Sequence, residues 1–429
     1  MTRRISYSLL FVVAFLSRLA LSQGDELLQR VQDLTDRVST QVVEWRRDFH
    51  AHPELSNREE RTSGVVAERL HDMGVDAIQT GVAHHGVVAL IRGKTPGPTV
   101  ALRADMDALP VTEETGLPFA SQNAGVMHAC GHDAHTAILL GTAKVLTQLR
   151  DEICGTVKLI FQPAEEGAPP GEEGGASLMV KEGVLENPDV SAIFALHVFP
   201  ELETGKLGYG FAGVMAAVDQ FQIEVRGRQT HAAWPWEGVD PVVASAHIIT
   251  ALQTIASRIV DTREKVVVSV GIVKGGTRWN IIPDSVMLEG TIRTLDENVR
   301  RQVHEVFERI VRLTAESHGA TAEIVLRDYG PVTWNDPDLG RRMLPTLKRA
   351  AGENNVVELP PVMGGEDFAY YVQKVPGFYF NLGIRNEEIG PVVPLHSPRL
   401  IVDEEALPLG VRAMTLMVLD YLRSEASEK

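Results

Sequence analysis

Residues 99–106 read TVALRADM and residues 156–162 read TVKLIFQ, and what joins these two runs decides the fold. Both are β-branched, largely apolar and bounded by Gly or Pro, as strands buried on both faces of a central sheet are. Between them, from about His135 to Leu149, apolar residues recur at helical spacing. Strand, helix, strand implies parallel pairing through a crossover. VVALI at 87–91 adds a strand, and Leu27 to His50 and Thr62 to Met73, ended by Gly74, add helices. The expected class is α/β with a mixed sheet.

Further along, the pattern changes. FQIEVRG (221–227), a helix from Pro241 to about Ile259, VVVSVGIVKGG (266–276), SVMLEGTIRT (285–294), a helix from Glu297 to about His318 and ATAEIVLRDY (320–329) read β-α-β-β-α-β. That is the ferredoxin-like order, and it fits an α+β satellite domain inserted into the first. The sheet-forming pattern resumes after Tyr329 with VVELPPVMGGEDFAYYV and GFYFNLGI, before a last helix from Glu404 to about Ser424. The expected domains are a catalytic domain in two parts, 23–218 and 329–429, and the satellite at 219–328.

Residues 1–22 are set apart by composition. Arg3 and Arg4 precede an apolar stretch from Leu9 to Leu21, interrupted by Arg18, and Ala20-Leu21-Ser22 suits cleavage before Gln23. This is the pattern of a secretory signal peptide, so an exported protein is expected, periplasmic or secreted. The apolar run is shorter than the roughly 20 residues a membrane span needs, and no later segment reads as a span. The remaining numbers describe a chain able to bury a large core: 429 residues, 44% hydrophobic, 23% charged, formal charge -16. An acidic chain of this kind lacks the clustered Lys and Arg that nucleic acid or an anionic membrane demands.

The chemistry concentrates at His128-Ala129-Cys130-Gly131-His132-Asp133-Ala134-His135. Thiol, imidazole and carboxylate within one short segment make the mixture a borderline divalent metal needs. Cys130 and His132 alternate with small residues, so a loop there can point both donors at one ion, and a cysteine between two ions bridges them as thiolate. Glu165-Glu166 in QPAEEG, His197 in ALHV and His396 in PLHSP offer further donors. Neighbours in an extended loop point in different directions, so one carboxylate of the doublet can ligate while the other faces water. A Cys130–Cys154 disulfide would remove the thiolate, and none is expected.

RRDFHAHPELSNRE, RADMDALP, MHACGHDAHTA, QPAEEG, RGRQTHAA, NIIPD, MGGEDFAYY and LHSP stand in that order along the chain. In them the sequence resembles the aminoacylase and carboxypeptidase family of two-domain metallohydrolases, in the amidohydrolase branch that holds hippurate hydrolases and hydrolases of auxin (indole-3-acetyl) amino-acid conjugates. The similarity runs from about Trp45 to the last helix. It implies two divalent ions per chain, ligated by Cys130, His132, Glu166, His197 and His396. Zinc or manganese is expected, with cobalt or nickel admitted by the same donors. It implies a dinuclear amidohydrolase that cleaves N-acyl amino acids, with Glu165 as general base toward a metal-activated water. His231 and Asn280 match positions that reach the substrate from the smaller domain and polarise the developing oxyanion. His135, Asp133, Asp105 and Asp107 are expected to orient the ligands, and His50 and His52 to take no part as ligands.

Two alternatives stand beside this reading. One is a metallo-carboxypeptidase or dipeptidase of the same family; the other is a non-catalytic protein that captures N-acyl amino acids, which would have no use for Glu165 beside a ligand carboxylate. The exposed sheet edge of the satellite leaves homodimerisation through that domain open.

Overall fold

The computed structural model describes residues 5–427, with side chains from residue 26 to residue 426. The leader read over residues 1–22 therefore lies outside the residues whose side chains are described. The chain divides into two compact units, one formed by Met1–Tyr209, Asp336–Leu359 and Lys374–Lys429, the other by Gly210–Asn335 and Pro360–Gln373.

The first unit opens with α1 (Ile5–Ala51), α2 (Glu60–Asp72), β1 (Ala77–Val82), β2 (Gly86–Arg92), β3 (Thr95–Asp105), α3 (His132–Thr147), β4 (Cys154–Gln162), α4 (Gly175–Lys181), β5 (Val190–Glu203) and β6 (Leu207–Tyr209). The second unit supplies β7 (Ala212–Met215), β8 (Ala217–Arg226), β9 (Thr230–His231), α5 (Pro241–Leu252), β10 (Val266–Gly275), β11 (Ile281–Ile282), β12 (Ser285–Thr294), α6 (Glu297–Ser317), β13 (Thr321–Gly330) and β14 (Thr333–Asn335). The chain then re-enters the first unit with α7 (Pro337–Ala351) and β15 (Val356–Glu358), returns to the second for α8 (Ala369–Val372), and closes the first with β16 (Gly377–Arg385) and α9 (Leu407–Ser427).

The first unit is built on an eight-stranded mixed sheet in the order β1-β2-β4-β3-β5-β16-β6-β15. Its centre is parallel: β3 pairs with β4 and β5, and β5 with β16. The antiparallel pairs β1–β2 and β2–β4 flank it on one side. Val100, Ala101 and Leu102 of β3, Val157, Leu159 and Phe161 of β4, and Ile193 and Phe194 of β5 are fully buried, which explains why these strands carry apolar residues on both faces. α1, α3 and α9 pack on one another. α3 is buried along almost its whole length, as a helix apolar all round must be.

The second unit carries a four-stranded antiparallel sheet, β10-β12-β8-β13. With α5 and α6 between its strands in sequence, this is the ferredoxin-like arrangement. Phe221, Ile223 and Val225 of β8 alternate onto one face and pack with Ile248 and Leu252 of α5 and Val303, Phe307 and Val311 of α6. Asp240 and Asp296 cap the two helices, each accepting hydrogen bonds from the first free N–H groups.

The structure corrects four expectations. α3 begins at His132 and ends at Thr147 instead of running from His135 to Leu149: Gly131, at φ 88°, turns the chain into the helix, and its carbonyl accepts from the N–H groups of Ala134 and His135. α5 ends at Leu252, followed by a π turn at Ile255–Ile259. The second unit extends beyond 219–328 at both ends because β7 pairs with β14. It also takes in Pro360–Gln373, since Met215 bridges to Val362 and Gly364 accepts from the N–H of Ala216. Finally, Pro241–Ile259 is long and apolar enough by length and composition to cross a membrane, against the reading that nothing beyond the leader is. Its Ala244, Ile248, Leu252 and Ile255 nonetheless pack into the core of the second unit, so one face of the segment is spent there, while Val242 and Val243 are exposed.

Candidate metal centre

The donors converge where the parallel strands of the first unit end. β3 stops at Asp105 and the chain returns at Cys130 and the first turn of α3; β4 stops at Gln162, just before Glu165-Glu166. His197 lies on β5, which runs on past the end of β3, and His396 follows β16. Crevices outside the carboxyl ends of parallel strands are where open α/β sheets bind their ligands.

Two donor triads share one thiol. Cys130, His132 and His197 bring ligand atoms within 4.8 Å of one another, and so do Cys130, Glu166 and His396. Glu165 forms a further close group with His132 and Glu166. All five ligands expected from sequence, and the expected base, are thus gathered in one place.

Hydrogen bonds decide which nitrogen of each imidazole faces the centre. His132 Nδ1 lies 2.9 Å from the Asp107 carbonyl, which can only accept, so Nδ1 carries a proton and Nε2 faces the donors, buried and with no hydrogen-bond partner. His197 repeats this: Nδ1 donates to the Val198 carbonyl at 2.7 Å, which turns Nε2 toward Cys130 Sγ at 3.4 Å. His135 is arranged oppositely. Its Nε2 accepts from the N–H of Val198 at 2.9 Å and its Nδ1 donates to Asp105 at 2.6 Å. Both its nitrogens are occupied, so His135 braces His197's strand and is no ligand, although it sits close to His132 and Asp105.

The electrostatics call for positive charge. Burial works against protonating His132, but Asp105 and Cys130 outweigh it and hold that imidazole well above its usual range. Contact with Cys130, and with Glu166 at 3.1 Å, raises His396 to about 10. Burial pushes the Cys130 thiol up, so it becomes a thiolate only beside a cation. A set of soft and borderline donors, with a buried imidazole nitrogen lacking a partner and protons held where a cation belongs, fits divalent metal.

Around the donors stands a buried support. Arg103 donates to Asp105 at 2.6 Å, and Ser56 donates to Asp107 at 2.7 Å. Asp133 accepts from Arg46 at 2.7 Å and from His50 at 2.9 Å. His50 is therefore tied to Asp133 in the first turn of α3, and His52 bonds its own helix backbone at Asp48. Sequence reasoning passed over Ser56 and Glu59; their presence in the PELSNRE motif was the available signal.

His231 and Asn280 belong to the second unit and are neighbours there. β9 pairs with β11 so that Ile281 stands opposite His231, and the Asn280 carbonyl accepts from the N–H of Ala232. The His231 ring is exposed and lies 4.9 Å from that of Trp234. Its Nδ1 accepts from the N–H of Ala233 at 3.0 Å, which leaves Nε2–H as a donor. Glu366 and Asp367 also belong to the second unit, and both cysteines are free thiols.

Comparison with known proteins agrees with this architecture. Residues 101–420 match the model of peptidase family M20/M25/M40. Thermostable carboxypeptidase 1 of Saccharolobus solfataricus is 41% identical over 398 residues, 92% of this chain and 99% of that protein. N-acetylcysteine deacetylase of Bacillus subtilis is 41% identical over 387 residues, 90% of this chain and 98% of its own length. Among solved structures, the YXEP protein of Bacillus subtilis, a dinuclear metal binding peptidase, superposes with a TM-score of 0.79 at 37% identity, covering 90% of this chain and 99% of that one. Near-complete coverage at such identity, together with the family match across both units, makes this chain a member of peptidase family M20/M25/M40.

Proposed function

We propose that this protein is a dinuclear metal-dependent amidohydrolase that releases the amino acid from N-acyl amino acids. The observation that carries the reading is the pair of donor triads sharing Cys130, with the Glu165 carboxylate 3.7 Å from His132 Nε2. Cys130, His132, Glu166, His197 and His396 would hold two ions, zinc or manganese being best suited to the donors and cobalt or nickel acceptable to them. When bound, the ions supply the charge that brings a water's pKa toward about 7 and polarises the scissile carbonyl. Glu165 takes the proton of the attacking water and passes it to the leaving nitrogen. His231, through Nε2–H, and Asn280 serve as donors to substrate oxygens, where one such bond contributes roughly 3 kcal/mol in related chemistry. Glu165→Gln is expected to keep its metal and lower kcat by about 10²–10⁴-fold; an unchanged kcat removes Glu165 from proton transfer.

The deacetylase relative favours N-acyl amino acids, and the carboxypeptidase relative supports a second reading, cleavage of a peptide's C-terminal residue. One experiment separates them. Amine release is measured from hippurate, N-acetyl amino acids, an indole-3-acetyl amino acid and a dipeptide, after chelation and again after adding Mn²⁺ or Zn²⁺. The first reading expects metal-restored turnover of the acyl substrates. Turnover of the dipeptide alone moves the protein to the peptidase reading, and turnover that survives chelation overturns both.

Export through residues 1–22 is part of the proposal, and N-terminal sequencing of the secreted protein should begin near Gln23. The edge strands β10 and β13 offer unpaired backbone for a homodimer through the second unit, which light scattering would register as a doubled mass.

A further inference from the structure

The loop bearing Glu165 is shaped by residues far away in sequence. After β4 ends, Pro163 has no N–H to give and Ala164 takes φ 54°, a left-handed conformation that a residue with a Cβ holds only when its surroundings impose it. The surroundings here are two carboxyl groups. Glu59 Oε1 accepts from the N–H of Ala164 at 2.8 Å, and Asp107 Oδ2 accepts from the N–H of Glu166 at 3.0 Å. Ser56 in turn fixes that same Asp107 oxygen at 2.7 Å. The N–H groups on either side of Glu165 are thus each anchored on a buried carboxyl, and both anchors lead back to residues 56–59. Glu59 itself is fully buried.

We propose that Glu59 is a positioning residue for hydrolysis: through the Ala164 N–H it holds the left-handed turn from which the Glu165 carboxylate reaches the donor cluster. The inference rests on the reading of Glu165 as the base. The chemistry of Glu59 suits the task. Burial first, and then the nearby Asp107, push its carboxyl up to about 8. It therefore accepts the Ala164 bond as a neutral acid and adds no further negative charge beside Asp107, Glu165 and Glu166. An amide of the same length would serve equally, whereas an alkyl group would not.

The test compares Glu59→Leu, Glu59→Gln and the double variant Glu59→Leu/Ala164→Gly in the full chain, reading kcat, KM, metal content and backbone amide exchange across 162–168. Glu59→Leu is expected to lower kcat by about 30–100-fold, the scale of a slight misplacement of a reacting group. KM should stay within about threefold and metal content at the wild-type value. Glu59→Gln should recover kcat to within about threefold of wild type, and Ala164→Gly should recover part of it, since glycine takes the turn without the clamp. Exchange at 164–166 should quicken in Glu59→Leu and slow again in Glu59→Gln. A Gln variant as impaired as the Leu variant, or exchange unchanged by Glu59→Leu, overturns the proposal. Should Glu59→Leu fail to fold, Glu59→Asp, one methylene too short to reach Ala164, takes its place, and a wild-type kcat there overturns it equally. If the wild-type protein turns over no N-acyl amino acid at all, the reading of the function falls, while amide exchange still judges Glu59.

Discussion

Cys130 shows how one residue's surroundings set its chemistry. Its thiol is buried and held above the ordinary range, and His396 beside it is raised to about 10. Both therefore carry protons at neutral pH, and a metal must displace them. The sign follows directly: raising pH removes the competing protons, so apparent metal affinity should climb steeply between about pH 6 and 8. Competition against a chelator across that range checks it, and a flat profile would mean the ion does not use these groups. Cys130→Ser should weaken binding more than about 100-fold, since a hydroxyl stays protonated where a thiolate is needed. Glu59 yields a second pH dependence, this time in stability. Its folded carboxyl keeps its proton up to about 8, whereas in the unfolded chain it ionises near 4.5. Between those values the unfolded state has released a proton that the folded state retains, so this group's contribution to stability falls as pH rises. Glu59→Gln has no proton to lose. Its melting temperature relative to wild type should therefore rise from about pH 5 to pH 8, and a constant difference would show that Glu59 ionises like an exposed acid.

At the scale of elements, the entry into α3 does most to place the donors. Gly131 sits between Cys130 and His132 at φ 88°, and a Cβ there would meet Val198 Cγ2 at 2.4 Å. Two independent reasons thus exclude a side chain, one in the backbone and one in the packing. Gly131→Ala should cost about 1–3 kcal/mol, and because the strain falls between two donors, metal content should drop with it. Calorimetry and metal analysis on the same sample decide the matter: a destabilised variant with full metal content would show that the entry shapes the helix but not the centre. The loop after β4 obeys the same logic with other parts. There the left-handed residue is Ala164 and the compensation comes from the Glu59 carboxyl.

For the molecule as a whole, the ligands belong to one compact unit and the ferredoxin-like core to the other. An ion that binds only the folded form stabilises the unit that holds it. Chelation should therefore speed amide exchange in the strands that end at the donors, β3, β4 and β5. Exchange around Phe221 and Phe307, whose core contains no donor, should stay as it was. Equal acceleration in both units would show that the metal stabilises more than its own unit.

Period and composition alone determined the parallel βαβ centre, the ferredoxin-like insertion and the short segment that carries thiol and imidazole, because strand and helix periodicities and donor types are local properties of the chain. Which of the chain's other acids and histidines join Cys130 and His132 was implied by the resemblance of its ordered motifs, not by any local pattern. What only the tertiary structure decided is everything that depends on which distant groups meet. The tautomers of His132 and His197 are set by the carbonyls of Asp107 and Val198, and the exclusion of His135 by Asp105 and the N–H of Val198. The start of α3 at His132 depends on the backbone angle of Gly131 and its packing on Val198. The inclusion of Pro360–Gln373 in the second unit depends on a bridge to Met215. Most of all, Glu59 reads in sequence as one acid among many, and its role appears only when folding buries it against the N–H of Ala164, 105 residues further along the chain.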